Sequence, residues 1–364
     1  MIIDFANLKL AYKDHKEEFE AAMLEVGASA GYIMGPKVKA LEEKLKKFTG
    51  AKYAISCSSG TDALLLAMRA LNIKPGDEII TTPFTFIATA ETIAFLGATP
   101  VFVDIDESSY NIDANKIEEK ITDKTKAIMP VSLYGQVADM DAINAIAKKY
   151  NLPVIEDAAQ SFGATYNSKK SCNLSTIGCT SFFPAKPLGC FGDGGAVFTN
   201  DLGLANKMSS LRLHGQTKRY YHQYIGMGGR LDSIQAAILN VKLKYYNKDI
   251  LERQRVAKTY TNLLGDDIIK PTISSNKTSV WAQYSIRLKN REEVQEKLTE
   301  KGIPTAIHYP LPLHLQQCFD YLGYKKGDFP FSERVANEII SLPMNPYLTT
   351  KEIEYIVENF KDSL

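Results

Sequence analysis

"KYAISCSSGTDALLLAMRAL" (52–71) decides how the rest of the chain is read. A strand-like run, "KYAIS" (52–56), gives way to a turn of small polar residues. A helix with an apolar stripe, "DALLLAMRAL" (62–71), follows at once. Strand, polar turn and helix in that order open an α/β unit. Ser58, Ser59, Gly60 and Thr61 fill the turn. Backbone N–H groups at a helix start, with the positive end of the helix dipole, favour a phosphate there. Gly60 lets the backbone approach such a group closely. An ordinary helix cap by Ser59 or Thr61 accounts for the same residues when they are taken alone.

The alternation continues. "DEIITT" (77–82), "TPVFVDI" (99–105), "KAIMPVSL" (126–133), "LPVIED" (152–157), "STIGCTSFF" (175–183) and "GGAVFTN" (194–200) read as strands. "TFIATAETIAFLG" (85–97) and "DMDAINAIAKKY" (139–150) read as helices between them. This order predicts an α/β fold with a mainly parallel sheet and helices on both faces. Past residue 230 the texture changes. Residues 232–264 read as one or two long helices, "AQYSIRL" (282–288) and "PTAIHY" (304–309) as strands, and "NREEVQEKLTEKG" (290–302) as a helix. "TTKEIEYIVENF" (349–360) reads as a helix opened by a Thr349–Glu352 capping box. The chain therefore divides into a large domain, 1–250, and a smaller α+β domain, 251–364.

Composition narrows the function. The 364 residues are 45% hydrophobic, enough for more than one core. Forty-three basic residues nearly cancel 42 acidic ones, and a net charge of +1 supplies no field for nucleic acid or an anionic membrane. No apolar run is long enough to span a bilayer, and the charged, amphipathic start carries no apolar signal core. Five cysteines with scattered spacings read as reduced, mostly buried thiols of a cytoplasmic protein. No paired Cys or His spacing suggests a metal site.

Ligands of open α/β sheets bind outside the carboxyl ends of the strands, so the residues there carry the functional reading. Phe84 follows the second strand and could stack on a ligand ring. Asp157 ends a strand so apolar that its carboxylate needs a positive partner, such as a protonated pyridine nitrogen. Gln160, three residues on, could donate to a phenolate oxygen of the same ring. Ser181 could add a phosphate contact. Lys186 stands between Pro184 and Pro187, ahead of a glycine-rich run. Partial burial would lower its amine pKa and make it nucleophilic. Each residue has a plain structural explanation by itself. Together, at the strand ends of one sheet, they supply what pyridoxal 5′-phosphate needs.

With these residues in place, the chain resembles the DegT/DnrJ/EryC1/StrS sugar aminotransferases, within the fold-type I (aspartate aminotransferase-like) pyridoxal phosphate enzymes. "GYIMGPKVKALEEKL", "SSGTDALLLAM", "PFTFIATAETIAFLGATPVFVDID", "VIEDAAQSFGA", "SFFPAKPLG", "GDGGAVFTN", "GRLDSIQAAIL" and "IHYPLPLH" carry the resemblance across nearly the whole chain. It implies Lys186 as Schiff-base lysine and proton carrier, Asp157 on the pyridinium nitrogen and Gln160 on the phenolic oxygen. It implies Phe84 on the ring, and Gly60, Thr61 and Ser181 on the phosphate. It also implies a homodimer with active sites between the subunits.

Some relatives carry histidine at the lysine position and are dehydratases; lysine here implies transamination. The resemblance breaks at Gly228, two residues before Arg230. Many relatives have an asparagine there that reaches the neighbouring subunit's phosphate, and no such contact is expected from this glycine. "CNLST" (172–176), "LHGQ" (213–216) and "PTAIHYPLPLH" (304–314) look most like enzymes that aminate C3 of UDP-linked 2-acetamido-3-oxo sugars, in the glucuronate form above all. Arg230, His308 and Tyr309 are then implied as substrate-binding residues, with glutamate as donor and 2-oxoglutarate as its product. The alternatives are an aminotransferase of 4-keto sugar nucleotides and a non-catalytic regulatory module; no DNA-binding extension precedes the fold.

Overall fold

The computed structural model describes residues 1–364. Seven strands form the central layer: β1 (Tyr53–Cys57), β2 (Glu78–Thr81), β3 (Thr99–Phe102), β4 (Thr125–Ile128), β5 (Ile155–Asp157), β6 (Ile177–Ser181) and β7 (Gly195–Thr199). Ladders order them β1-β7-β6-β5 and β3-β2-β4. Parallel bridges Ile128–Val154 and Val131–Asp157 join β4 to β5. The whole sheet thus runs β1-β7-β6-β5-β4-β2-β3, and only β7 opposes its neighbours. The mainly parallel sheet expected from the alternation is present. Antiparallel neighbours need no crossover helix, so β6 reaches β7 through the loop 182–194. Lys186 stands in that loop.

Both faces of the sheet are covered, which is why its strands read as apolar runs rather than alternating ones. Along β7, Val197 packs with Ile55, Ile177 and Ala205 on one side. Ala196 and Phe198 pack with Leu41, Leu239 and Tyr246 on the other. The helices Gly60–Ala70 and Leu202–Leu211 cover the first face, and Pro36–Thr49 and the start of Ser233–Leu263 cover the second.

Residues 233–263 are one helix, unbroken through residue 250. Its first half is buried against the central sheet and its second half, through Val256 and Tyr260, in another cluster. That second cluster gathers the antiparallel pair β8 (Tyr284–Arg287) and β9 (Ile339–Leu342), the helices Arg291–Glu300 and Thr350–Lys361, and Ile3 from the start of the chain. The capping box forms as expected, with Thr349 and Glu352 bonding each other's backbone N–H.

"PTAIHY" is not a strand. Only Ala306 bridges, to Ser341, and the segment then leaves β9, the Tyr309 hydroxyl accepting from Gln160 three residues past the end of β5. Alternation around a single bridge mimics a strand, and the polar contacts of His308 and Tyr309 override it. All five cysteines are free thiols, four of them buried.

Candidate active site

Two close approaches set the floor. A side chain at Gly60 would start 2.7 Å from the Ser181 Cβ, and one at Gly195 would start 2.3 Å from the Ser59 carbonyl oxygen. Only glycine lets the first turn lie against the ends of β6 and β7. Ser59 caps the helix Gly60–Ala70, its Oγ accepting from the Asp62 N–H at 3.0 Å. Ser58 binds the Asp62 carboxylate with its hydroxyl. The Ser181 hydroxyl accepts from the Phe183 N–H at 3.2 Å. Gly60, Thr61 and Ser181 are thus brought to one corner at a helix start, which fits a phosphate.

Asp157 ends β5 and is buried. Thr89 donates to its Oδ2 at 2.8 Å, and the Ala159 N–H to its Oδ1 at 3.2 Å. Thr85 and Thr89 share a hydroxyl bond of 3.0 Å behind it. Burial pushes the carboxyl pKa up, against the pull of Thr89, Ala159 and the Lys186 charge. A cationic ring nitrogen would reverse that shift, so the carboxylate fits such a group. Thr89 escaped the sequence reading, although Thr85, Thr89 and Thr92 mark one face of an otherwise apolar stretch.

Gln160 is oriented by its neighbours. Its Oε1 accepts from the Tyr134 N–H at 2.8 Å, which leaves the NH₂ as the free end. That NH₂ donates to the Tyr309 hydroxyl at 3.1 Å and has a second hydrogen to offer. Lys186 is half-buried. Burial lowers its ammonium pKa, with Asp157 acting in the opposite direction. The lysine's charge and burial together hold the His308 imidazole down to about 4, burial being the larger cause. His308 Nδ1 lies 3.0 Å from the Ser341 Oγ.

Two expected residues sit otherwise. Phe84 is completely buried, edge-on to Tyr134 at 6.4 Å in a cluster with Val131 and Val335, so no face is left for a ligand ring. This corrects its assignment as the stacking residue. Phe86, two residues on, is 53% exposed and stands 6.0 Å from the Tyr309 ring. Position after the second strand put Phe84 forward, and it does not separate two phenylalanines two residues apart. Arg230 makes no hydrogen bond or ion pair with Lys186 or Asp157; its stretch is held at the first turn by the Ser58 N–H donating to Gly229 O at 3.2 Å. Its guanidinium lies 3.8 Å from where a side chain at Gly228 would begin, and the His214 ring lies 3.2 Å from the same point.

A corner open to a phosphate, a buried carboxylate, an oriented amide and a desolvated lysine together fit pyridoxal 5′-phosphate, the cofactor of fold-type I enzymes. The model of the DegT/DnrJ/EryC1/StrS aminotransferase family matches residues 13–361. A Pseudomonas aeruginosa UDP-2-acetamido-2-deoxy-3-oxo-D-glucuronate aminotransferase is 52% identical over 98% of both chains. A Geobacillus stearothermophilus pleiotropic regulatory protein is 47% identical over 100% of this chain and 98% of its own. The crystal structure of S. venezuelae DesV in complex with a ketimine intermediate superposes with a TM-score of 0.97 at 36% identity, covering 99% of this chain and 98% of that one. The chain belongs to the DegT/DnrJ/EryC1/StrS aminotransferase family. It is a pyridoxal phosphate-dependent aminotransferase. No helix is long and apolar enough to cross a membrane.

Proposed function

We propose that the enzyme transfers an amino group from L-glutamate to C3 of a UDP-linked 2-acetamido-2-deoxy-3-oxo sugar, the glucuronate form foremost. The observation that carries the substrate is the 52% identity, over nearly the full length, to the Pseudomonas aeruginosa enzyme of that name. When bound, pyridoxal phosphate supplies an electron sink for the carbanion of the amino donor.

The chain's residues do the rest. Gly60, Thr61 and Ser181 hold the phosphate. Asp157 keeps a proton on the ring nitrogen, and Thr89 holds that carboxylate in line. The free hydrogen of the Gln160 amide meets the phenolic oxygen. Phe86, not Phe84, offers a ring face. Lys186 is the point of attachment and, as a neutral amine, takes and returns a proton at the reacting carbon. His308 and Tyr309 face the acceptor, and the neutral state of His308 spares a second cation beside Lys186. Arg230 offers an unpaired fork for a carboxylate. The division into 1–250 and 251–364 belongs to the same reading, the two hydrophobic clusters meeting along one helix.

A homodimer completes the site. Exposed Phe183, in the lysine loop, and exposed Tyr32 and Ile33 support it, since large apolar side chains left in water call for a cover. Light scattering tests the dimer. A cytoplasmic place in cell-surface polysaccharide or lipopolysaccharide synthesis, such as O-antigen, follows from the same substrate.

The deciding experiment is the visible absorption of the holoenzyme with glutamate, then with keto sugar nucleotides. Bleaching by glutamate and recovery with the 3-keto glucuronate form are expected. Recovery only with 4-keto sugars overturns the acceptor. The family match and the aminotransferase relatives do not favour the non-catalytic regulatory alternative.

A further inference from the structure

Tyr134 holds a conformation that its chemistry does not prefer. Its φ of 56° and ψ of 8° lie in the left-handed region, inside the short turn Leu133–Gly135 after β4. A bulky residue there is strained by about 1–3 kcal/mol unless its surroundings hold it. The surroundings do hold it. Leu133 N–H donates to Asn111 Oδ1 at 2.9 Å, and Asn111 Nδ2 donates to Gln136 O at 3.2 Å. Val280 N–H donates to Gly135 O at 3.1 Å. The Tyr134 ring is clamped edge-on by Tyr110 at 5.6 Å and Phe84 at 6.4 Å.

The two polar groups of this one residue go to two different parts of the site. Its backbone N–H fixes the Gln160 amide, and its hydroxyl donates to the carbonyl of His308. The His308 ring is tied to Ser341, and Ser341 to Ser285 at 2.9 Å, so the hydroxyl bond closes a chain from the turn to β8 and β9. Tyr309 then returns to Gln160 through its own hydroxyl. Gln160, Tyr134, His308 and Tyr309 thus form a closed ring of contacts: Tyr134 bonds both Gln160 and His308, and the Gln160–Tyr309 bond is the second link between the two sides.

We propose that Tyr134 is a positioning residue that registers the acceptor-side segment His308–Tyr309 against the cofactor-side amide Gln160. The proposal rests on the aminotransferase reading above. The hydroxyl serves the acceptor side, and the backbone N–H the cofactor side, so the two roles separate on substitution. Tyr134→Phe keeps the ring and the N–H and removes only the hydroxyl.

The test uses holoenzyme. For Tyr134→Phe, the absorption maximum of the bound cofactor stays unmoved and its bleaching rate with glutamate changes less than about threefold. The KM for the keto sugar rises about tenfold or more with kcat little changed, the pattern of lost uniform binding. Calorimetry with UDP-N-acetylglucosaminuronate, a non-reacting probe, shows the same weakening. Wild-type affinity for the probe overturns the proposal, and so does a lowered melting temperature with affinity retained. Tyr134→Gly relieves the backbone and lacks ring and hydroxyl; wild-type affinity there also overturns it. Ser341→Ala unhooks only the His308 ring, so its loss of affinity is smaller than that of Tyr134→Phe; a larger loss overturns Tyr134 as the main anchor. If wild-type holoenzyme fails to bleach with glutamate, the aminotransferase reading fails instead.

Discussion

Glu156 and Asp157 are consecutive on β5 and point to opposite sides of the sheet. Both are buried, and burial raises the pKa of both. Glu156 faces a closed pocket. Ser132 Oγ at 3.0 Å, Ser171 Oγ at 2.9 Å and the Cys172 N–H at 2.8 Å all donate to it. Asp157 faces the lysine loop with two donors, one on each oxygen. A carboxylate with three donors in a sealed pocket holds structure together. A carboxylate with spare lone pairs beside a desolvated amine has capacity left for a ligand. Burial alone does not separate the two; the unused hydrogen-bonding capacity does.

The comparison can be broken most directly at the lysine. Lys186→Ala should remove essentially all transamination, a loss of roughly 10⁴-fold or more, since the attachment point and the proton carrier go together. Single-turnover bleaching with glutamate measures it, and near-normal bleaching would remove the lysine from the mechanism. Asp157→Asn should keep the cofactor bound and slow the glutamate half-reaction by roughly 10²–10⁴-fold. Glu156→Gln is the contrasting change. It should cost about 1–3 kcal/mol of stability in urea melts and leave the half-reaction rate nearly alone. Equal kinetic damage from both substitutions would erase the distinction between the two carboxylates.

Smaller effects sharpen it. Thr89→Val removes a donor from Asp157, so the carboxyl pKa should rise further and the half-reaction slow by about three- to tenfold, most clearly at the acid end of a pH profile. His308 gives the smallest signal. Its folded-state pKa of about 4 lies below its ordinary 6.5, so the unfolded chain takes the proton first. Stability should therefore fall as pH drops from 6.5 through 4, by about 2 kcal/mol after allowing for partial exposure, and His308→Gln should flatten that slope. A wild-type slope in the variant would show that His308 does not carry it.

Much of the candidate site is legible in the sequence. Gly60, Asp157, Gln160, Ser181 and Lys186 each follow or end a strand, and a parallel sheet brings strand ends to one edge whatever the loops do. Phe84 was misread for a physical reason. Phe84 and Phe86 have the same chemistry two residues apart, and only packing against Tyr134 and Val335 shows which is core. Tyr134 left no signal at all. Its backbone strain, its hold on Gln160 and its bond to His308, 174 positions away, exist only in the folded chain. The expected strand at 304–309 failed likewise, because side-chain contacts to Gln160 and to Ser341 on β9 outweighed a local pattern.

The sequence by itself determined the sheet, the order of its strands along the chain and the residue types at their carboxyl ends. Those follow from hydrophobic period and from the turn chemistry of glycine and small polar residues, which act over a few positions. Only the tertiary structure decided which carboxylate is sealed and which is open, which phenylalanine meets the site, and how the C-terminal segment is registered against it. Those outcomes depend on donors and rings from elements tens to hundreds of residues apart. No local pattern encodes such distances; only the folded packing brings the groups within reach.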